Sequence, residues 1–389
     1  MALVPRQTGS SIKIFVLAAA LEAGAEPNDL IDGVLPCTLP NPDDQKNPFV
    51  IGSGATQSVD TLSTMTALSI NCAFARLSQV VGLHRVVDTT YRMTQSPYLY
   101  AGQTKAQRGA DIIHPYASFA TGANEMSPLD MASGAQTIAN VGLHHEPYFV
   151  EHIDLADGSP MYVHDDPGTQ VLDPGVALTE ISMLKGVITR GTGRHYPLAN
   201  GRVAAGKTGT QDDNTNAWFV GMTPELATAV WVGNPNGYIK MNSIPEFLRD
   251  GVKNVQGGTY PSKIWKLYTD AALAQVPNSD WPAPPALTRP PVRLLLPGNE
   301  CAGKLVSGTP VDPNAPTTTQ APPVTVEGEV PVETTPPTAP PLVYQPLPPQ
   351  TTIDPDVLDP HAPLPTVPIA GVTVYNCGTG VPGATINGK

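Results

Sequence analysis

The chain has 389 residues, of which 41% are hydrophobic, 14% charged and 6% aromatic, and 44 are prolines. Its 22 Lys and Arg stand against 34 Asp and Glu, a formal charge of -12, which argues against a nucleic-acid or anionic-membrane partner held by a general basic field. No apolar run reaches the roughly 20 residues that cross a bilayer: the best candidate, Ile14 to Leu21, stops at Glu22, so the chain reads as soluble and without a signal peptide.

In chain order, Ser10 to Ala23 is apolar nearly all round, ends at Gly24 and meets Pro27 soon after, the pattern of a buried helix with a normal stop. Asp60 is positioned to cap a second helix leading to Ser69, and Cys72 to Val81 continues as a third. Ser127-Pro128-Leu129-Asp130 opens a helix to Asn140, with Gly142 behind it. Arg202 to Gly206 is a short strand-like run. Ala217 to Gly221 and Ala227 to Val232, joined by Thr223-Pro224-Glu225, predict an antiparallel hairpin. A last amphipathic helix fits Ser262 to Val276. Helices, a meander and a closing helix make an α+β fold, with no internal repeat.

Composition shifts near residue 282. Residues 282–368 hold 24 of the 44 prolines, which predicts an extended, polyproline-like and disordered tail from 282 to 389 behind a globular domain of residues 1–281. From 301 to 389 seven acids face two lysines, which favours expansion. Val372 to Tyr375 is the one strand-like stretch there, ahead of Cys377. The four cysteines form no CxxC or Cys/His cluster, so no metal is expected. In an oxidising compartment Cys37 with Cys72 and Cys301 with Cys377 are the natural pairs, and four free thiols are the alternative.

Ser10 and Lys13 stand three apart at the start of the first helix, on one face and within hydrogen-bonding reach. A lysine in an apolar surround loses its charged form, and the neutral amine can take the serine proton. A nucleophile at a helix N-terminus also has N–H groups beside it to receive an oxyanion. Ser69-Ile70-Asn71 falls at a break between helices, and Lys207-Thr208-Gly209-Thr210 follows the run from Arg202. Each motif alone has a cheaper explanation as a cap, a turn or a surface strand. Together, in the order S-x-x-K, S-x-N, K-T-G, they are the set of penicillin-binding proteins and serine β-lactamases.

With these residues the chain resembles the transpeptidase domain of class A penicillin-binding proteins, the bifunctional peptidoglycan synthases. Arg6-Gln7-Thr8-Gly9-Ser10-Ser11-Ile12-Lys13 is similar to the nucleophile segment, with Thr8 where proline is usual. Met183 to Ile188 leading to Gly191-Thr192-Gly193, then Ala204 to Thr210 and Asn216 to Gly221, resemble the third-motif region; the similarity spans about residues 4–275. The resemblance implies an antiparallel sheet flanked by helices, as in the serine β-lactamases. It implies that Ser10 attacks the penultimate D-alanine carbonyl of a stem peptide, forms an acyl-enzyme and passes the acyl group to an amine of a neighbouring stem. Lys13 would be the base, Ser69 the proton relay, and Asn71 a partner of Lys13 and the substrate amide. Lys207, Thr208, Gly209 and Thr210 would receive the terminal carboxylate, with the Ser10 and Thr210 N–H groups as oxyanion hole. No metal or organic cofactor is needed.

The partners so implied are peptidoglycan stem peptides and lipid-linked precursor polymer, with β-lactams as covalent inhibitors, at an extracytoplasmic location. Only nine residues precede Ser10. The family's glycosyltransferase domain, membrane anchor and first two sheet strands lie upstream of this helix, so the sequence reads as a truncated piece with an open sheet edge. Two rival readings share the motifs. A DD-carboxypeptidase or β-lactamase-like hydrolase would use water as acceptor, but no Glu-x-x-Leu-Asn resembling a deacylating loop is present. A non-catalytic β-lactam-sensing or wall-binding module would leave Ser10 acylated or inert. Gly191-Thr192-Gly193 reads as a simple loop, Trp218 and Phe219 as core, and Glu125, Asp130 and Glu146 as caps or solvated faces.

Overall fold

A computed structural model describes residues 2–94 and 112–296, with the backbone of two further strands, Val372–Asn376 and Pro382–Ile386. At its centre lies the helix Lys13–Glu22, entered through one 3-10 turn, Gly9–Ile12. Every residue from Ile12 to Ala20 is at most 1% exposed, which is why the sequence carries no polar stripe there. The helix ends at Glu22, whose carboxylate pairs with Arg92 at 2.7 Å and so ties in the helix Leu83–Thr94.

A three-stranded antiparallel sheet stands beside this helix: Ala205–Thr210, Asn216–Met222 in the middle, and Ala227–Gly233 outside. The period-two alternation of the middle strand sorts its side chains. Trp218, Val220 and Met222 join the main core with Met131, Ala135 and Ile138 of the helix Pro128–Ala139. Phe219, on the other face, packs with Trp265 of the helix Tyr260–Ala272, ring centroids 4.9 Å apart. The outer strand is half-buried throughout, and its far edge has no strand partner among the described residues. The result is an α+β sandwich, helix on sheet on helix.

A second sheet orders its strands Val372–Asn376, Pro382–Ile386, Arg293–Leu294, Leu30–Gly33, Gln57–Thr61. The disulfide Cys37–Cys72, with Cα atoms 6.0 Å apart, links the strand Cys37–Leu39 to the helix Asn71–Val81. The other expected pair, Cys301 with Cys377, lies outside the described residues, as does the proline-rich stretch 297–371. Residues on the tail side of the compositional boundary still pack: Val292 and Leu294 are buried, and Arg289 holds the buried Asp29 at 2.6 Å.

Some expected elements shift. Thr61, not Asp60, caps the helix Leu62–Leu68, accepting from the Thr64 N–H; Asp60 instead accepts from the Gln57 side chain and the Thr61 N–H. The last helix begins at Tyr260 because Pro261 is tolerated in a first turn, and ends at Ala272 rather than Val276. The strand expected over 202–206 runs from Ala205 to Thr210, so the K-T-G motif is itself a strand. The capping box of Ser127 and Asp130 is present, which accounts for that acid.

Candidate active site

Gly9 turns the chain at φ +53°, and a Cβ there would lie 2.6 Å from the Thr210 carbonyl. Gly122, at φ +86°, packs against Gly9 so closely that a Cβ would reach 2.2 Å from its nitrogen. Gly209 meets the Thr8 carbonyl and Ser11 N–H from the sheet side, where a Cβ would fall within 2.5–2.8 Å. Bare backbone therefore rests on bare backbone on both sides of the nucleophile turn. Ser10 emerges from this stack half-buried, and Lys13 follows one turn later at 1% exposure.

Ser69 closes the helix Leu62–Leu68 in the left-handed region, φ 59° and ψ 39°, a conformation few non-glycine residues hold without a tertiary reason. Asn71 opens the next helix. Between them they take the Lys13 amine: Nζ donates to the Ser69 carbonyl at 2.8 Å, to Asn71 Oδ1 at 2.7 Å and, more weakly, to Ser69 Oγ at 3.4 Å. Ser10 Oγ also donates to Asn71 Oδ1, at 3.3 Å. Ser10 and Lys13 thus meet at a shared acceptor, Asn71 Oδ1, rather than in the direct hydrogen bond expected from the spacing.

From the sheet, Lys207 reaches the same hydroxyl, Nζ to Ser69 Oγ 2.6 Å, and also donates to the Thr208 carbonyl at 3.0 Å. Ser69 Oγ therefore sits between two amines. Among the described residues neither lysine has a carboxylate in its hydrogen-bond set. Burial holds the Lys13 ammonium well below the usual lysine range, helped by the charge of Lys207. Burial alone brings Lys207 down to about 7.

A cleft of ≈ 370 Å³ opens over this network. Ser10, Ser69, Asn71, Thr208 and Thr210 line it, all singled out by motif; Lys13 and Lys207 lie beneath, and Gly209 packs rather than lines. Thr192, His195, Gln256, Gly258 and Thr259 also line it and were missed. Thr192 corrects the reading of its segment as a simple loop, since its hydroxyl pairs with Thr208 Oγ1 at 2.6 Å. The Gly257 N–H likewise donates to Thr210 Oγ1 at 3.1 Å. The one available signal was the glycine density of Gly191-Thr192-Gly193 and Gly257-Gly258, where backbone comes close to its neighbours. Trp218 is buried with its indole N–H on the Gln7 carbonyl, and Glu125 is exposed and accepts from Tyr238. No group of three or more His, Cys, Asp or Glu suited to a metal occurs among the described residues.

Such an arrangement supports acyl transfer through a serine ester: a nucleophile, an amine whose charged form burial disfavours, a hydroxyl between two amines and a lysine on the facing strand edge. Known proteins agree with it. Residues 5–244 match the penicillin binding protein transpeptidase domain. Penicillin-binding protein 1A of Aquifex aeolicus is 29% identical over 304 residues, 77% of this chain and 38% of that protein. The Mycobacterium tuberculosis protein of the same name is 32% identical over 289 residues, 72% of this chain and 33% of its own length. The chain thus spans between a third and two fifths of these relatives. The solved structure of PonA1 from Mycobacterium tuberculosis in complex with penicillin V superposes with a TM-score of 0.61 at 27% identity, covering 74% of each chain. A match of this extent, carried on a cleft where all three motifs meet, makes the chain a member of the penicillin-binding transpeptidase family, homologous to the class A protein 1A.

Proposed function

We propose that this chain is a serine D,D-transpeptidase that cross-links peptidoglycan stem peptides and is acylated by β-lactams at Ser10. The observation that carries the reading is the hydrogen-bond set of Lys13. A neutral amine has two N–H donors and one lone pair. The Ser69 carbonyl and Asn71 Oδ1 are its two short acceptors, and Asn71 Oδ1 also receives the Ser10 hydroxyl, so in the neutral amine the lone pair takes the Ser10 proton once that hydroxyl turns from Asn71. As Ser10 Oγ bonds to the carbonyl carbon, its proton passes to Lys13 Nζ. When the C–N bond of the leaving D-alanine breaks, its nitrogen takes a proton through Ser69 Oγ, which touches both amines. An acceptor amine reverses these transfers. Lys207 and the hydroxyls of Thr208 and Thr210 are placed for a terminal carboxylate, and the Ser10 and Thr210 N–H groups for the oxyanion.

The penicillin V complex of the PonA1 relative supports the inhibitor side of this reading. The Cys37–Cys72 disulfide supports an oxidising, extracytoplasmic location. We propose residues 1–281 as the catalytic domain, strapped by residues 282–296 ahead of the rest of the 282–389 tail. Incubation with a fluorescent penicillin, followed by mass spectrometry, tests the assignment: a lasting adduct at Ser10, absent in Ser10→Ala, is expected. An unlabelled Ser10 refutes it, and a label lost within minutes marks a hydrolase. A donor and acceptor stem-peptide assay then separates cross-linking from β-lactam sensing.

A further inference from the structure

Residues 143–172 leave the body after the helix Pro128–Ala139 and return to it, closed at the base by Leu143–His144 pairing with Thr169–Gln170. At the tip is a two-stranded hairpin, His152–Asp154 against Pro160–Val163. Its register puts Ile153 opposite Tyr162 on one face, and Val163 opposite His152 on the other, with Met161 on the Val163 side. Neither face is covered by the described residues. Phe149 is 78% exposed, Met161 69% and Val163 59%, and Tyr148, Val150, Ile153, Leu155 and Tyr162 are exposed as well. Tyr148, Phe149, Val150, Ile153 and Tyr162 together shape a depression of ≈ 410 Å³, with Tyr148 stacked on His164 at 3.7 Å.

A lone two-stranded hairpin is marginal in water, and a contiguous apolar patch of this kind marks an interaction site rather than ordinary surface. Both outer edges of the hairpin are unpaired among the described residues, so its backbone is free to accept a further strand. The charge around it has one sign. Residues 143–172 contain Glu146, Glu151, Asp154, Asp157, Asp165 and Asp166 and no Lys or Arg, so this short stretch carries half of the chain's net charge of -12. Asp166 is engaged by His145 and the Glu146 and Gly168 N–H groups, and the other five are exposed.

We infer that the 148–163 hairpin docks a polypeptide partner whose contacting segment is extended and alternates apolar with Lys or Arg residues. Apolar side chains fill the depression, cations meet the five exposed carboxylates, and the segment pairs with a hairpin edge. Charge sets the alternatives aside: a second copy of this chain brings a like charge, and residues 301–389 offer two lysines against seven acids. An anionic lipid surface is repelled by the same carboxylates.

The test uses the full chain and a dye-labelled 12-residue peptide alternating Lys with Val or Ile, read by fluorescence anisotropy. Controls are the same peptide with Glu for Lys, a peptide of residues 334–353, and sedimentation of the protein alone. Expected is saturable binding of the Lys peptide that weakens with salt and falls about tenfold or more in Phe149→Ser/Tyr162→Ser and in Glu146→Gln/Glu151→Gln/Asp165→Asn. Both variants should keep the wild-type thermal melt and rate of penicillin labelling; if the apolar pair fails to fold, the charge variant alone decides. The proposal is overturned if the Lys peptide does not bind, if the Glu peptide binds as well, if the charge variant binds undiminished, or if the 334–353 peptide or a second copy takes the surface instead. Labelling of Ser10 tests the enzymatic reading separately.

Discussion

Among the described residues Asn71 Oδ1 is the only side-chain acceptor of Ser10 Oγ, and it is the shorter of the two strong acceptors of Lys13 Nζ. Asn71→Ala would leave a buried amine with one firm partner and free the nucleophile to rotate. Acylation by penicillin should then slow by about 10²-fold or more, as loss of positioned proton transfer does, with the melt little changed; a wild-type rate in stopped flow would remove Asn71 from the mechanism. A second expectation concerns pH. In the proposed mechanism carboxylate capture needs charged Lys207, whose proton is lost as pH rises through about 7, whereas proton abstraction needs neutral Lys13. The acylation efficiency of the free enzyme should therefore fall above about pH 7, and Lys207→Gln should flatten that limb while lowering the whole profile. The two amines share Ser69, so the limbs belong to the pair. That the three motifs would meet was legible because the spacing within each is written locally. The bridging by Asn71, and the arrival of Thr192, His195, Gln256 and Thr259, were not, since segments far apart in sequence meet there.

The helix Pro174–Thr189 packs along both the nucleophile helix and the K-T-G strand, and carries an anomaly in its first half. Glu180 is fully buried and neither carboxyl oxygen has a hydrogen-bond partner among the described residues. Burial first, and the nearby Glu22 second, push its carboxyl well above the usual carboxylate range. The folded chain thus keeps a proton that the unfolded chain releases above about pH 4.3, so stability from this site is intact below that value and lost as pH rises. Glu180→Met should raise stability by about 1–4 kcal/mol at neutral or higher pH and by little near pH 4; denaturant melts at pH 4 and 8 would show it, and an equal gain at both would refute the titration. This helix announces itself through Asp173 as N-cap and Pro174 at its first turn, yet its near-uniform apolarity gives no clear period. The hairpin over 216–233 and the buried nucleophile helix were plain, because alternation and a sharp Gly stop leave little choice. The 148–163 hairpin was invisible because its strands, His152–Asp154 and Pro160–Val163, are too short for alternation to register, and the second is apolar on both faces.

Across the whole molecule, the Cys37–Cys72 bond closes a 35-residue separation and joins the small strand pair around Cys37 to the helix that opens with Asn71. Removing it, in Cys37→Ser/Cys72→Ser, should cost about 2–5 kcal/mol, measured by denaturant unfolding, and should slow penicillin acylation because Asn71 loses its covalent neighbour's anchor. Unchanged acylation would show that packing alone fixes the second motif. Pairing within one compositional region pointed to this bond, while the fold around it, assembled from segments as distant as Leu30 and Arg293, had no local trace. The seating of the nucleophile has a wider consequence. Gly122, Gly9, Gly209 and Gly257 place main chain directly upon main chain from one wall of the cleft to the other. A side chain added at any of these glycines meets backbone within 2.7 Å, so substitution there dislodges the nucleophile turn before it can retune it. Under the proposed function, a change in the ligands the cleft accepts is therefore expected to come from lining side chains outside this stack, such as His195 and Gln256.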